Sequence, residues 1–252
     1  MLDIRDLTAG YGKRKVLHSL SVGFEAGELT CIIGPNGCGK STLLKAVLGL
    51  IPRTAGDVRL DGESLAGRKR GEIAKRIAYL AQGQSIPDMT VGQMVLHGRF
   101  PYLEYPRGYT ACDRELARAA MERVGIAHLA DEPMATLSGG LRQTAYIAMA
   151  LAQQTPYILL DEPTTYLDVA HQVHILKLLR ELSRDGRGVA AVMHDLPLAL
   201  SYADRVAVMA GGKMRAVGTP LEILQSGVIR EIFGVDVMEA EGEFFCCLRG
   251  HR

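Results

Sequence analysis

Two short stretches of this chain carry residue types whose spacing can do chemistry. The first, Gly34-Pro35-Asn36-Gly37-Cys38-Gly39-Lys40-Ser41-Thr42, fits the pattern G-x-x-x-x-G-K-[ST]. It follows an apolar run, Leu29-Thr30-Cys31-Ile32-Ile33, and precedes another, Leu43-Leu44-Lys45-Ala46-Val47-Leu48. That order reads as strand, glycine turn and helix. The glycines let backbone N–H groups converge on a phosphate chain as an anion nest. The helix adds its unpaired N-terminal donors and the positive end of its dipole. Lys40 is placed to reach the outer phosphates as a point charge, and the Ser41 hydroxyl to ligate Mg²⁺. The second stretch, Tyr157-Ile158-Leu159-Leu160-Asp161-Glu162, is an apolar strand ending in two acids. Such an end lies at the carboxyl edge of an α/β sheet, where ligands of open sheets bind. Asp161 there can hold Mg²⁺, and Glu162 can orient and deprotonate an attacking water.

Positioning those groups takes a sheet with helices on its faces, and the rest of the chain supplies that pattern. At 252 residues the length suits one large domain, or a core with one inserted lobe. Residues 1–30 read as strands joined by turns, with alternation over 2–7, a β-prone run over 16–24 and a turn at 10–13. Val58-Arg59-Leu60 closes another strand before the Asp61-Gly62 turn, giving the core an antiparallel β edge. Residues 72–76 read as helix, and 77–80 as a buried strand leading to Gln82. From Pro87 to about Leu151 the pattern is helical. It holds a segment at 91–97 and an amphipathic helix at 113–124 with Leu116, Ala120 and Val124 on one side. Strands at 157–160, 188–193 and 205–209 then alternate with helices at 169–182 and 197–203. That alternation implies a largely parallel sheet covered on both faces. The expected organisation is one domain over 1–252. Residues 1–86 and 152–225 form its α/β core and 87–151 a helical insert. A short C-terminal β-element at 226–252 would pair strands at 233–238 and 244–248 around a turn at 241–243.

Composition narrows the classes. Lys and Arg number 29 against 28 Asp and Glu, so no broadly basic surface is implied for non-specific nucleic-acid binding. No apolar run reaches the roughly 18–20 residues of a spanning helix. Acidic residues interrupt the first six positions, unlike a secretory signal, and the chain is expected to stay in the cytosol. Five scattered cysteines make no disulfide framework, and Cys31 reads as a small buried hydrophobe. Without a C-x-x-C pair no structural metal site is expected. His171 and His174, near Asp168, read as a polar helix face rather than as ligands.

Between the two chemical stretches lies Leu137-Ser138-Gly139-Gly140-Leu141-Arg142-Gln143, followed by an apolar segment at 144–152. Alone, Ser-Gly-Gly before a helix is only a cap. In this order, with the glycine loop and the acid pair, it closely resembles the signature sequence of ATP-binding cassette (ABC) ATPases. The resemblance runs from about residue 2 to 225. It implies an α/β P-loop NTPase core with an antiparallel β subdomain and an inserted α-helical subdomain, hydrolysing ATP with Mg²⁺. Carried over residue by residue, it implies that Gly34, Pro35, Asn36, Gly37, Cys38, Gly39, Lys40, Ser41 and Thr42 hold the phosphates. Tyr11 would stack on adenine. Gln82 would reach the Mg²⁺ and the attacking water and link the site to the helical lobe. Asp161 would act as the Walker B acid, Asp168 as the D-loop aspartate, and His194 as the switch histidine at the γ-phosphate. Glu162, His194, Gln82 and Lys40 are thus the expected catalytic set, and Ser41, Gln82 and Asp161 the expected metal set. Ser138, Gly139 and Gly140 would close over ATP held by a second copy, so that two chains sandwich two nucleotides. Leu141 stands where a glutamine is commonest and Thr144 where an arginine often does. Neither removes a phosphate donor, and Leu141 bears on nucleotide affinity or partner contacts. Cys38 would make activity sensitive to thiol reagents if exposed.

Two further stretches, residues 90–102 and 161–172, resemble the subgroup importing iron–siderophore complexes, haem or cobalamin. This resemblance implies a homodimer at the cytoplasmic face of the cell membrane. Residues 90–102 would meet integral permease subunits, with a substrate-binding protein as an indirect partner. The alternative is a non-transport ABC ATPase acting on nucleic acid or ribosomes. Such proteins usually carry tandem cassettes, long coiled-coil insertions or basic extensions, which this sequence does not show, so no nucleic-acid partner is expected.

Overall fold

The structure, a computed structural model, describes residues 1–83, 85–106, 108–240 and 243–247. The N-terminal alternation folds as β1 (Leu2–Tyr11) and β2 (Arg14–Phe24), an antiparallel pair opposing Leu2 to Phe24 and Tyr11 to Arg14. The turn between them is shorter than the sequence predicts. Gly10 stays in β1, where a Cβ would lie 2.0 Å from the Arg14 carbonyl oxygen. β3 (Leu29–Ile33) leads through the glycine loop into α1 (Lys40–Val47). β4 (Arg53–Leu60) and β5 (Glu63–Ser64) return to the first pair, completing an antiparallel sheet in the order β2-β1-β4-β5. α2 (Arg70–Ala74) starts earlier than predicted, because Glu72 reaches back to accept the Lys69 N–H at 3.0 Å.

β6 (Ile77–Leu80) opens onto the helical insert, α3 (Val91–Leu96), α4 (Ala111–Arg123) and α5 (Gly139–Ala152). The buried side of α4 runs through Ala117, Ala120, Met121 and Val124, while Leu116 is only partly buried. Then come β7 (Tyr157–Asp161), α6 (Val169–Arg184), β8 (Gly188–Val192), α7 (Leu196–Tyr202), β9 (Arg205–Ala210) and β10 (Lys213–Gly218). The second sheet has the order β10-β9-β3-β8-β7-β6, parallel except for β10 on β9. The tail is not purely β. α8 (Pro220–Gln225) and α9 (Val228–Phe233) precede an antiparallel hairpin of β11 (Asp236–Ala240) and β12 (Glu243–Cys247). Phe233 therefore ends a helix rather than starting a strand. Glu241, Gly242 and Leu248 of the predicted turn and strand lie outside the described residues.

The parallel strands are buried on both faces, and their residues alternate between two cores. Leu29, Cys31 and Ile33 of β3 join α5, α6 and α7 in one, where Ile147, Leu179 and Ala199 are buried. Ile32 turns the other way, to α1 and the antiparallel sheet, meeting Leu43, Leu44, Leu2 and Phe24. Among the described residues no helix is long and apolar enough to cross a membrane.

The insert has its own buried ion pair. Arg99 donates to Asp113 Oδ1 at 2.9 Å and to the Ala152 carbonyl at 3.1 Å, with both charged side chains about nine-tenths covered. The Arg99 guanidinium also sits 3.9 Å from the Tyr102 ring centre. Asp113 is held below the usual carboxylate range, first by the Thr110 N–H and then by Arg99. Removing one member of such a pair strands the other charge. Arg99→Ala is therefore expected to cost about 3–5 kcal/mol in urea unfolding. A loss below about 1 kcal/mol would show that the pair does not hold the insert together.

Candidate functional site

Two glycines set the phosphate loop. Gly39, just before α1, has φ 108° and Gly37 has φ 75°, both in the left-handed region that favours glycine. Whereas α5, α6 and α7 begin on the side-chain caps Ser138, Asp168 and Asp195, α1 begins on Gly39 with no side-chain cap. Its first N–H groups are left for an anion. Gly34 answers a packing need instead, since a Cβ there would meet the Met209 carbonyl oxygen at 2.2 Å and Cys38 Sγ at 2.7 Å. The loop is tied down from outside. Gly212 N–H donates to the Cys38 carbonyl at 3.0 Å, and His18 N–H donates to the Gly212 carbonyl at 2.9 Å. Lys40 folds back over the loop, its Nζ donating to the Gly34 carbonyl at 2.6 Å and the Pro35 carbonyl at 3.2 Å.

The two acids at the end of β7 meet this loop. Ser41 Oγ donates to Asp161 Oδ1 at 2.9 Å, and the Tyr79 hydroxyl donates to Oδ2 at 3.3 Å. Burial raises the Asp161 carboxyl above its ordinary value. The Glu162 charge adds to this, and the donations from Ser41 and Tyr79 pull it back. Tyr79 is itself pushed up, first by burial and then by Asp161, so it remains a neutral donor. Glu162 Oε2 accepts from Gln82 Nε2 at 2.5 Å and Thr165 Oγ1 at 3.2 Å, while Oε1 pairs with His194 Nε2. Glu162 has φ 56°, a left-handed conformation uncommon for a side-chain-bearing residue. Its three partners are what over-determine that strained backbone.

Asn36, Gly37, Gly39, Lys40, Ser41 and Thr42 line a depression of about 140 Å³ together with Val16, Glu162 and His194. Gln82, Asp161 and Glu162 face an adjoining groove that Gly139 enters from the insert and Leu167 from the segment before α6. Tyr11 does not line the depression. It is 49 % exposed at the end of β1. Nor do Ser138, Gly140 and Asp168. Ser138 Oγ caps α5 by accepting the Leu141 N–H at 3.3 Å, and Asp168 caps α6 by accepting the His171 N–H at 2.9 Å. Cys38 is buried, and burial raises its thiol against the pull of Lys40. The expected thiol sensitivity, which required exposure, is therefore not supported. Cys31 is fully buried, as expected, with its thiol pushed up to about 12 by burial. Val16, Tyr79 and Thr165 carry no functional signal of their own in the sequence. Val16 sits at the start of β2 on the other sheet, Tyr79 reaches Asp161 from a neighbouring strand, and Thr165 meets Glu162 through the local turn after β7.

Ser41 and Asp161 are hard oxygen donors already in contact. They suit Mg²⁺, which takes one or two protein ligands and completes its shell with phosphate and water. Among the described residues no three or more His, Cys, Asp and Glu gather as a separate metal cluster.

Known proteins carry the same pattern. The family model described as ABC transporter matches residues 17–165. The ferric enterobactin transport ATP-binding protein FepC of Escherichia coli (strain K12) is 47 % identical over 92 % of this chain and 86 % of its own. The hemin import ATP-binding protein HmuV of Streptomyces coelicolor (strain ATCC BAA-471 / A3(2) / M145) is 42 % identical over 88 % of this chain and 79 % of its own. Among solved structures, one described as an inward-facing metal-chelate type ABC transporter superposes with TM-score 0.82 at 27 % identity. It covers 97 % of this chain and 95 % of that one. Identity of this order over nearly the whole length reflects common descent rather than convergence on a phosphate loop. The chain belongs to the ABC transporter family and is one of its ATP-binding ATPases.

Proposed function

We propose that this chain is the ATP-hydrolysing subunit of an importer for iron–siderophore or haem-type chelates, working as a homodimer on the cytoplasmic face of the membrane. The observation that carries the catalytic part is the arrangement around Glu162. Its carboxylate lines the phosphate depression beside the Ser41–Asp161 pair, and its oxygens are oriented by Gln82, Thr165 and His194. On this reading the triphosphate takes over Lys40 from the Gly34 and Pro35 carbonyls, and the loop N–H groups and the start of α1 close around it. Ser41 and Asp161, and Gln82 once released from Glu162, would hold Mg²⁺, which would supply charge neutralisation on the outer phosphates. Glu162 orients a water and accepts its proton, while His194 contacts the γ-phosphate. Tyr11, exposed at the end of β1, offers its ring to the adenine.

Ser138, Gly139 and Gly140 serve the nucleotide of a second copy. Ser138 and Gly140 line neither the depression nor the groove beside it in their own chain, and Gly139 reaches only that groove, which supports the division. The permease side is supported by an apolar groove between core and insert, lined by Leu50, Ile73, Ile77, Phe100, Pro101 and Met149. It includes part of the 90–102 stretch, and Phe100 is 52 % exposed. The chelate, read from the relatives' names, would pass through membrane subunits and their binding protein and never touch this chain.

The test is reconstitution of the full chain with its membrane subunits in liposomes. Addition of chelate-loaded binding protein is expected to raise ATP hydrolysis several-fold and to move the chelate inward. Hydrolysis indifferent to membrane subunits and to every iron chelate or haem tried would overturn the importer reading. Salt-sensitive binding to DNA or RNA at physiological ionic strength would favour the nucleic-acid alternative.

A further inference from the structure

One contact ties the start of α5 to the start of α6 and takes no part in the phosphate depression. The His171 ring lies against Gly140. A Cβ built on Gly140 would fall 2.0 Å from His171 Cδ2, 2.5 Å from Cγ and 2.6 Å from Nε2. Gly140 is thus a glycine here because a side chain of its own subunit fills the space beside it. The ring is held on its other edge by Asp168, with Nδ1 2.8 Å from Oδ2 and 2.9 Å from Oδ1. Asp168 Oδ1 meanwhile caps α6 by accepting the His171 N–H. These bonds, the backbone one first, hold the Asp168 carboxyl below the usual range, so it stays an acceptor. One residue on, Leu141 lines a groove with Val124, Ile126 and Ala170. That contact gives a physical reason for an apolar residue where the family commonly has glutamine. Thr144 Oγ1 closes the turn by donating to the Gly140 carbonyl at 3.0 Å.

We propose that His171 is a positioning residue that clamps the Ser138-Gly139-Gly140 tip onto the cap of α6, presenting it pre-set to the nucleotide of a second chain. The inference rests on the two-chain sandwich proposed above. Its physical content is preorganisation. A tip already fixed in the free chain loses less conformational freedom on closing over phosphate than one that must first be ordered. The clamp also couples the insert to the segment carrying Asp168, so the two move together.

Two measurements on the full chain test it. The first uses Glu162→Gln as reference background and follows ATP-driven dimerisation by sedimentation. Adding His171→Ala is expected to leave the ATP affinity of the free chain within about twofold. The chain concentration needed for half-dimerisation should rise about 10-fold, as lost preorganisation predicts. His171→Phe, which keeps a ring over Gly140 without the Asp168 bond, should recover only part of that loss. The second is a urea-unfolding cycle of the starting chain, Gly140→Ala, His171→Ala and the double variant. The Gly140→Ala effect should shrink once the ring is gone, so the pair is non-additive. Unchanged dimerisation in His171→Ala, or strict additivity in the cycle, overturns the clamp. A reference chain that stays monomeric with ATP overturns the sandwich instead, and the unfolding cycle still scores the contact by itself.

Discussion

Glu162→Gln is expected to reduce steady-state ATP hydrolysis by about 10²–10⁴-fold, the usual contribution of a positioned general base. Nucleotide affinity should change little. The substitution is isosteric and keeps an oxygen for Gln82 and Thr165, which both donate to Glu162 in the free chain. What it removes is the negative charge beside His194 and the ability to take a proton from water. ATP should then persist on the protein, and on the two-chain sandwich proposed above closed dimers should accumulate. Phosphate release measured at saturating ATP, with bound nucleotide quantified in parallel, checks both halves. Turnover within about threefold of the starting chain would remove Glu162 from the role of base and leave Asp161 or His194 to be tested instead.

Lys40→Ala should act on binding itself. In the free chain the ammonium already makes two hydrogen bonds to loop carbonyls, at 2.6 and 3.2 Å, so ATP must offer more than it displaces. Hydrogen bonds from a charged donor contribute about 1.5–3 kcal/mol each. Losing them at the outer phosphates therefore predicts affinity weaker by about 10²-fold or more, read by titration with a fluorescent ATP analogue. The variant also leaves the Gly34 and Pro35 carbonyls without that donor, so circular dichroism and an unfolding curve should accompany the titration. Binding within about threefold of the starting chain, with the fold intact, would mean that the backbone N–H groups and α1 carry the anion alone.

Much of the chemistry was legible because it is local. The run Leu29–Ile33, the glycine turn and the helix after it are contiguous, and the acid pair is written at the end of its own strand. The signature stretch needed company to be read, since Ser138 on its own is a helix cap, and a cap is one thing the structure shows it to be. Less legible were segments whose state is set from outside. The polar start of β4 at Arg53 is a strand because β1 runs beside it, with Thr8 opposite Ala55 and Ala9 opposite Arg53. β10, with exposed residues alternating along an edge, gave no core pattern to detect. Tyr79 points at Asp161 across neighbouring parallel strands, a pairing that no spacing within either strand reveals. The tail misled because α9 is a short helix whose boundaries, Gly227 and Gly234, read equally well as turns.

The bonds from His18 through Gly212 to Cys38 have a mechanical corollary. They tie the seat of the phosphates to both sheets at once, so the triphosphate would rest on an anvil held from two sides. Any stroke that ATP powers is then expected outside that seat, in α3, α4 and α5 together with the start of α6 that His171 ties to them.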